Sequence, residues 1–221
     1  MSCCTDAGYR SIFGTKLAER DAHRYRRRGL RGSAAWLRDA LVREGIAERS
    51  VLEIGGGIGG MQIDLLKAGA GRAANVEIID SYEPAARELI AEHGFEQRIA
   101  RRIGDLVQDR DLAPAADIVV LHRVICCYPD ADGLMRAACE HARGRVAITI
   151  PRHAWWVRLT FAGMNAWLRV RRVAFRAYVH PPGPMLDAAR ARGFHPIQHV
   201  SGPIWESVIL GPPQRPLTDR G

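Results

Sequence analysis

The segment Ser50-Val51-Leu52-Glu53-Ile54-Gly55-Gly56-Gly57-Ile58-Gly59-Gly60, followed by Met61-Gln62-Ile63-Asp64-Leu65-Leu66-Lys67, carries the reading of the fold. A short apolar run stops in a cluster of glycines. Helical periodicity then resumes at Met61, and Gly69 closes it. This predicts strand, tight turn, helix. The same alternation continues downstream. Strands are predicted at 74–78, 99–103, 117–122 and 146–150, with helices over 83–93 and 130–143. Single helices between apolar strands predict a doubly wound, mostly parallel α/β sheet with helices on both faces.

Upstream, Ser33 is read as the N-cap of a helix through Glu44, with Trp36, Leu37, Ala40 and Leu41 on one face. Residues 1–33 are polar and hold the basic run Arg24-Tyr25-Arg26-Arg27-Arg28. After Pro151 the pattern changes. Residues 154–173 read as an apolar helix that carries Arg158, Arg169, Arg171 and Arg172, and a further helix is expected over 185–192. Two β-like runs, 195–200 and 204–210, flank Ser201-Gly202-Pro203 and predict an antiparallel hairpin. The boundaries that follow are a basic lid segment at 1–33, a domain over 34–211 with a helical insertion at 152–180, and a disordered tail at 212–221.

The 221 residues are enough for one domain with a sizeable core. Hydrophobic residues make up 47% and charged residues 25%, which excludes a disordered or collagen-like chain. The net charge is +8, and apart from Lys16 and Lys67 every cation is arginine. Such a surplus fits nucleic acid, an acidic lipid surface, an anionic small molecule, or a surface that uses arginine by default. There is no apolar leader and no long uncharged apolar run, so neither secretion nor a membrane span is expected. The five cysteines form no C-x-x-C pair, and a cytoplasmic protein with reduced thiols is expected.

The glycine turn sits at the carboxyl end of the first strand, where bare backbone lets a ligand approach. Glu77 ends the second strand, about 20 residues on, where a carboxylate can accept both hydroxyls of a ribose. Asp105 follows the third strand, within reach of an adenine amino group. Gly55 to Gly60 also satisfies G-x-G-x-x-G, so a nicotinamide dinucleotide is an alternative. Against it, Glu53 would repel a diphosphate, whereas it can anchor an ammonium group.

These residues resemble the class I S-adenosylmethionine-dependent methyltransferases over roughly residues 34–211. The family motif E/D-x-G-x-G-x-G matches Glu53, Gly55, Gly57 and Gly59, which the resemblance implies hold the methionine end of the cofactor. Glu77 matches the ribose-binding acid, with Asp80 as competitor. Asp105 matches the adenine-contacting residue, and Leu106 would stack on the base. The family's Rossmann-like sheet has seven strands, the last antiparallel, which agrees with the terminal hairpin.

The acceptor is read from the fourth strand end and the C-terminal third. His122-Arg123-Val124-Ile125-Cys126-Cys127-Tyr128-Pro129 lacks the Asn/Asp-Pro-Pro-Tyr/Phe segment of DNA and protein amide methyltransferases. It resembles small-molecule methyltransferases instead. Phe175-Arg176-Ala177-Tyr178-Val179-His180 is similar to the magnesium-protoporphyrin O-methyltransferase group. His122 is the candidate base, with an ordinary pKa near 6.5. Tyr128 is expected to orient the acceptor, and His180 lies in a loop that could close over it. Arg123 is open between an acceptor carboxylate and a surface acid. Trp155 and Trp156 beside Arg152 and Arg158 fit either a packed lid or peripheral contact with an anionic membrane. Cys3-Cys4 and Cys126-Cys127, if brought together, would offer thiolates to a soft metal. The competing class is an RNA methyltransferase or RNA-binding protein that uses Arg24 to Arg31 on phosphates.

Overall fold

Successive residues of a strand point to opposite faces, and in the central strands both sets are apolar. Ile118 and Val120 of one strand pack with Leu37, Leu41, Ile63 and Leu65 on one side of the sheet. Val119 and Leu121 pack with Leu134, Met135 and Met185 on the other. A sheet buried on both faces needs helices on both, and that is the architecture of this computed structural model, which describes residues 6–212.

The strands are β1 (Ser50–Ile54), β2 (Arg72–Glu77), β3 (Ile99–Ile103), β4 (Ala116–His122), β5 (Ala142–Pro151), β6 (His195–Ser201) and β7 (Trp205–Gly211). They form one sheet in the order β3-β2-β1-β4-β5-β7-β6. Pairing is parallel from β3 through β5, and β7 runs antiparallel to both β5 and β6. The helices are α1 (Asp6–Ile12), α2 (Thr15–Arg28), α3 (Ser33–Arg43), α4 (Gly60–Lys67), α5 (Glu83–Glu92), α6 (Ala131–His141), α7 (Trp155–Val170) and α8 (Pro182–Arg190). The chain winds outward from β1 to β3, then returns to the other side of β1 as β4. The carboxyl ends of β1 and β4 therefore flank a crevice at the point where the winding reverses.

The predicted strands and hairpin are all present. Three details differ. Sequence reading assigned no element to 1–33, yet α1 and α2 occupy it. The arginines masked a seam of small and aromatic residues, since Ala18, Ala22 and Tyr25 of α2 are buried. Ser33 is not a cap: Gly32 precedes the helix with no side-chain cap bond, and the Ser33 hydroxyl is used elsewhere. Finally, α6 ends at His141 and β5 begins at once, because Ala142 and Arg145 already pair with β4 across a register shift. All but the first residue of the proposed tail at 212–221, and the pair Cys3-Cys4, lie outside the described residues.

The basic strip on α2 is partly neutralised. Arg26 makes a two-nitrogen contact with Glu92 and also reaches Glu88, and Arg24 pairs with Asp21. Arg26 thus fastens α2 to α5. The Tyr25 hydroxyl donates to the Asp64 carboxylate at 2.5 Å and ties α2 to α4. Asp64 keeps Arg38 as a second partner. Tyr25→Phe is expected to lower stability by about 1.5–3 kcal/mol in urea unfolding, the value of one bond to a charged acceptor.

Candidate functional site

A cavity of about 750 Å³ opens at the reversal point, within the roughly 300–1,000 Å³ usual for small-molecule sites. Its floor is the glycine turn. Gly55 and Gly57 lie at φ +69° and +57°, a region that favours glycine. A Cβ on Gly55 would stand 2.5 Å from Val124, and one on Gly56 would stand 2.5 Å from Glu53 and Asn75 oxygens. Glycine here leaves room for Val124, Glu53 and Asn75 to pack against the turn, and Gly55, Gly56 and Gly57 present bare backbone to the cavity. Gly59 does not line the cavity. It is the left-handed residue before α4.

Three acids reach this wall. Glu53 is buried on β1, accepts a bond from Gln62 Nε2 at 2.8 Å, and burial pushes its carboxyl up to about 7. Glu77 ends β2 and accepts the Gly57 N–H, and burial raises it too. Asp105 accepts from Val107 N–H at 2.9 Å and from the Tyr128 hydroxyl at 2.8 Å. Leu106 lines the wall beside it. Asp80, the competitor of Glu77, is exposed and paired with Arg10, away from the cavity lining.

The other end departs from the sequence reading. His122 ends β4 with Nε2 3.0 Å from Ser33 Oγ. Burial, with Arg123 next to it, lowers its pKa to about 3, so a base matched to neutral pH is not what the fold provides. Arg123 Nη2 donates to the same hydroxyl at 3.1 Å, and its guanidinium lies 4.5 Å from the Trp205 ring centre. Arg123 takes φ +58°, an unusual conformation for a side chain with a Cβ. Tyr128 faces Asp105 rather than the His122 end. His180 lies outside the lining. Its Nε2 meets the Tyr128 carbonyl at 2.9 Å and its ring stacks on Tyr178. Cys126 and Cys127 have sulfurs 3.7 Å apart, and no cluster of three or more metal-ligating side chains occurs among the described residues.

Asn75 and Arg101 went unnoticed in the sequence, and Arg31 was read there only as the end of a phosphate-binding strip. Asn75, fully buried on β2, accepts the Gly56 N–H through Oδ1. Arg101 of β3 donates to the Gly57 carbonyl at 2.9 Å and to Glu83 at 2.7 Å. Arg31 lines the cavity from the α2–α3 turn. Only Arg101 had a visible signal, a charge in a strand that a parallel sheet should keep apolar.

The roof comes from α1 and α2. Tyr9, Phe13, Leu17 and Tyr25 line the cavity from above. Tyr9 donates to the Cys127 carbonyl at 2.8 Å and packs on Phe13 and Phe175.

No protein-family model and no curated protein sequence matches the chain. Solved structures do. The magnesium protoporphyrin IX methyltransferase of Synechocystis PCC 6803 with bound SAH superposes with a TM-score of 0.67 at 16% identity, covering 93% of each chain. The chain has the class I S-adenosylmethionine-dependent methyltransferase fold. A putative sarcosine dimethylglycine methyltransferase from Galdieria sulphuraria gives 0.64 at 13% identity, over 80% of this chain and 84% of that one. A putative RNA methyltransferase from Pyrococcus horikoshii gives 0.55 at 15%, over 81% and 83%. The methyltransferase fold therefore serves dissimilar acceptors and does not choose among them.

Proposed function

We propose that this chain is an enzyme that transfers a methyl group from S-adenosylmethionine to a small lipophilic or anionic molecule. One observation carries the reading: Glu53, a side-chain-free glycine turn, Glu77 and Asp105 share one cavity wall in the order that ammonium, ribose and adenine require. Glu53 would face the ammonium, Glu77 the ribose and Asp105 the adenine, with Leu106 against the base. Gly55 and Gly57 let the ligand approach, and Gly59 shapes the turn. A diphosphate would meet buried Glu53 instead, which argues against a dinucleotide.

The bound cofactor supplies a methyl group already activated on a sulfonium. The protein's task is then alignment. Arg123 can only donate to Ser33, so the Ser33 hydroxyl is free to donate to His122 Nε2. This chain holds His122 neutral and fixed in place. His122 is a positioning group in this reading, and an acceptor whose nucleophile is already ionised needs no base. Arg31 and Arg123 line the cavity with no carboxylate partner among the described residues and suit such an anion. Tyr128 orients Asp105, and His180 braces Tyr128 from outside the cavity. α1 and α2 act as the lid, held by Arg10 on Asp80 and by Tyr9. The partly neutralised α2 strip gives an RNA reading little support.

No described helix is long and apolar enough to cross a membrane. Cys126 and Cys139 form no disulfide, which fits a reducing cytoplasm.

Titration calorimetry tests the reading. S-adenosylhomocysteine should bind and NADH should not; the reverse result overturns it. Glu53 adds a pH signature. Its carboxyl is protonated below about 7 and must ionise to pair with an ammonium. Binding should therefore release a proton below neutrality, with affinity falling up to tenfold per pH unit on acidification. Buffers of different ionisation heat report that proton, and Glu53→Gln should abolish it.

A further inference from the structure

The helix α7 buries a single seam, and its opposite side is greasy. Val157 and Leu168 are buried, and Phe161 and Asn165 are half-buried between them. These four fall on one stripe at helical spacing. The far side holds Trp155, Leu159, Trp167 and Val170, which are 72%, 65%, 57% and 80% exposed. Trp156 and, from the hairpin turn, Ile204 extend it. A soluble surface rarely gathers two highly exposed tryptophans with Leu and Val on one helical arc.

The charges around this arc are of one sign. Arg158 and Arg169 border it on one side, and Arg171 and Arg172 close its C-terminal end. None of these four makes an ion pair among the described residues. Arg152 lies over the Trp156 ring and Arg171 over Trp167, at 5.5 and 5.3 Å from the ring centres. Between Glu140 and Asp187 the sequence has no carboxylate.

We propose that this face of α7 docks on an anionic lipid bilayer. Tryptophans and aliphatic side chains enter the headgroup boundary while arginines reach the phosphates. Charge decides against a second copy of the chain, because a twofold contact through this arc would set Arg158 and Arg169 against their own kind with no local acid. The helix starts just past the carboxyl end of β5, so docking sets the cavity edge of the sheet near the bilayer. The inference stands apart from the methyl-transfer reading and survives if that reading fails.

The test is flotation of the full chain with phosphatidylcholine vesicles, with and without phosphatidylglycerol, followed also by tryptophan emission. Binding to the anionic vesicles with a blue shift is expected, weakening with salt. Trp155→Ser/Leu159→Ser/Trp167→Ser, all exposed positions, should abolish binding while thermal unfolding stays unchanged. Arg158→Gln and Arg169→Gln should each weaken it about fivefold. The proposal is overturned if folded protein stays free of anionic vesicles at low salt. It is also overturned if the triple variant binds as well as the native chain, or if binding ignores Arg158 and Arg169. A dimer that the triple variant splits, without vesicle binding, assigns the face to a second copy instead.

Discussion

Glu77→Ala weakens S-adenosylhomocysteine binding by about five- to 150-fold, the expected result for hydroxyls stripped of their acceptor, about 1–3 kcal/mol. The carboxylate sits at the C-terminal end of β2, on the cavity wall, and is held there by the Gly57 N–H. Two effects therefore combine: loss of the acceptor and loss of the anchor for the turn. Glu77→Gln keeps an oxygen for Gly57 and should recover part of the affinity. Calorimetry on both variants separates the two effects. Unchanged affinity in Glu77→Ala would assign the ribose elsewhere. Asp80→Ala serves as comparison: Asp80 lies outside the cavity lining, so its loss removes only the exposed Arg10 latch of the lid and should cost much less affinity than Glu77→Ala.

The second large effect is on stability. Arg101→Leu should cost about 1.5–3 kcal/mol, because it removes the buried partner of the Glu83 carboxylate and leaves it only the exposed Arg87. The side chains of this pair are 3% and 14% exposed, at 2.7 Å. A leucine fills the space but leaves Glu83 only the exposed Arg87, 3.3 Å from its other oxygen, and the Gly57 carbonyl loses its donor as well. Chemical denaturation measures the loss. Arg101→Leu/Glu83→Leu should be more stable than Arg101→Leu alone, since the weakly paired, mostly buried carboxylate is gone. It should still bind S-adenosylhomocysteine more weakly than the native chain, because the turn has lost its clamp. If both variants unfold like the native chain, the ion pair is not a structural element of the site.

The fold was legible where the signal is local. Apolar runs separated by helical periods marked all seven strands, and Ile54 to Gly60 marked the turn. The residues at 1–33 were not legible as helices, because their arginines outweigh a buried seam of only Ala18, Ala22 and Tyr25. The site divides in the same way. Glu53, Glu77, Asp105 and Leu106 follow strand ends, so strand position brought them to the cavity. Position at the strand end already favoured Glu77 over Asp80, and the structure turns Asp80 outward to Arg10. His180 and Tyr128 carried suitable chemistry in suitable loops, but each is engaged by another protein group.

Taken by itself, the sequence determined the alternating sheet, the glycine turn and the acids behind it. Each of these depends on periodicity or on a few adjacent residues. The tertiary structure alone decided the His122 end of the cavity. Ser33 meets His122 across 89 positions, and Arg101 reaches Gly57 across 44. The lowered basicity of His122 is a desolvation effect, set by how much of the chain closes around it. Contacts between distant segments and the water they exclude leave no period in a sequence, so only the folded chain shows them.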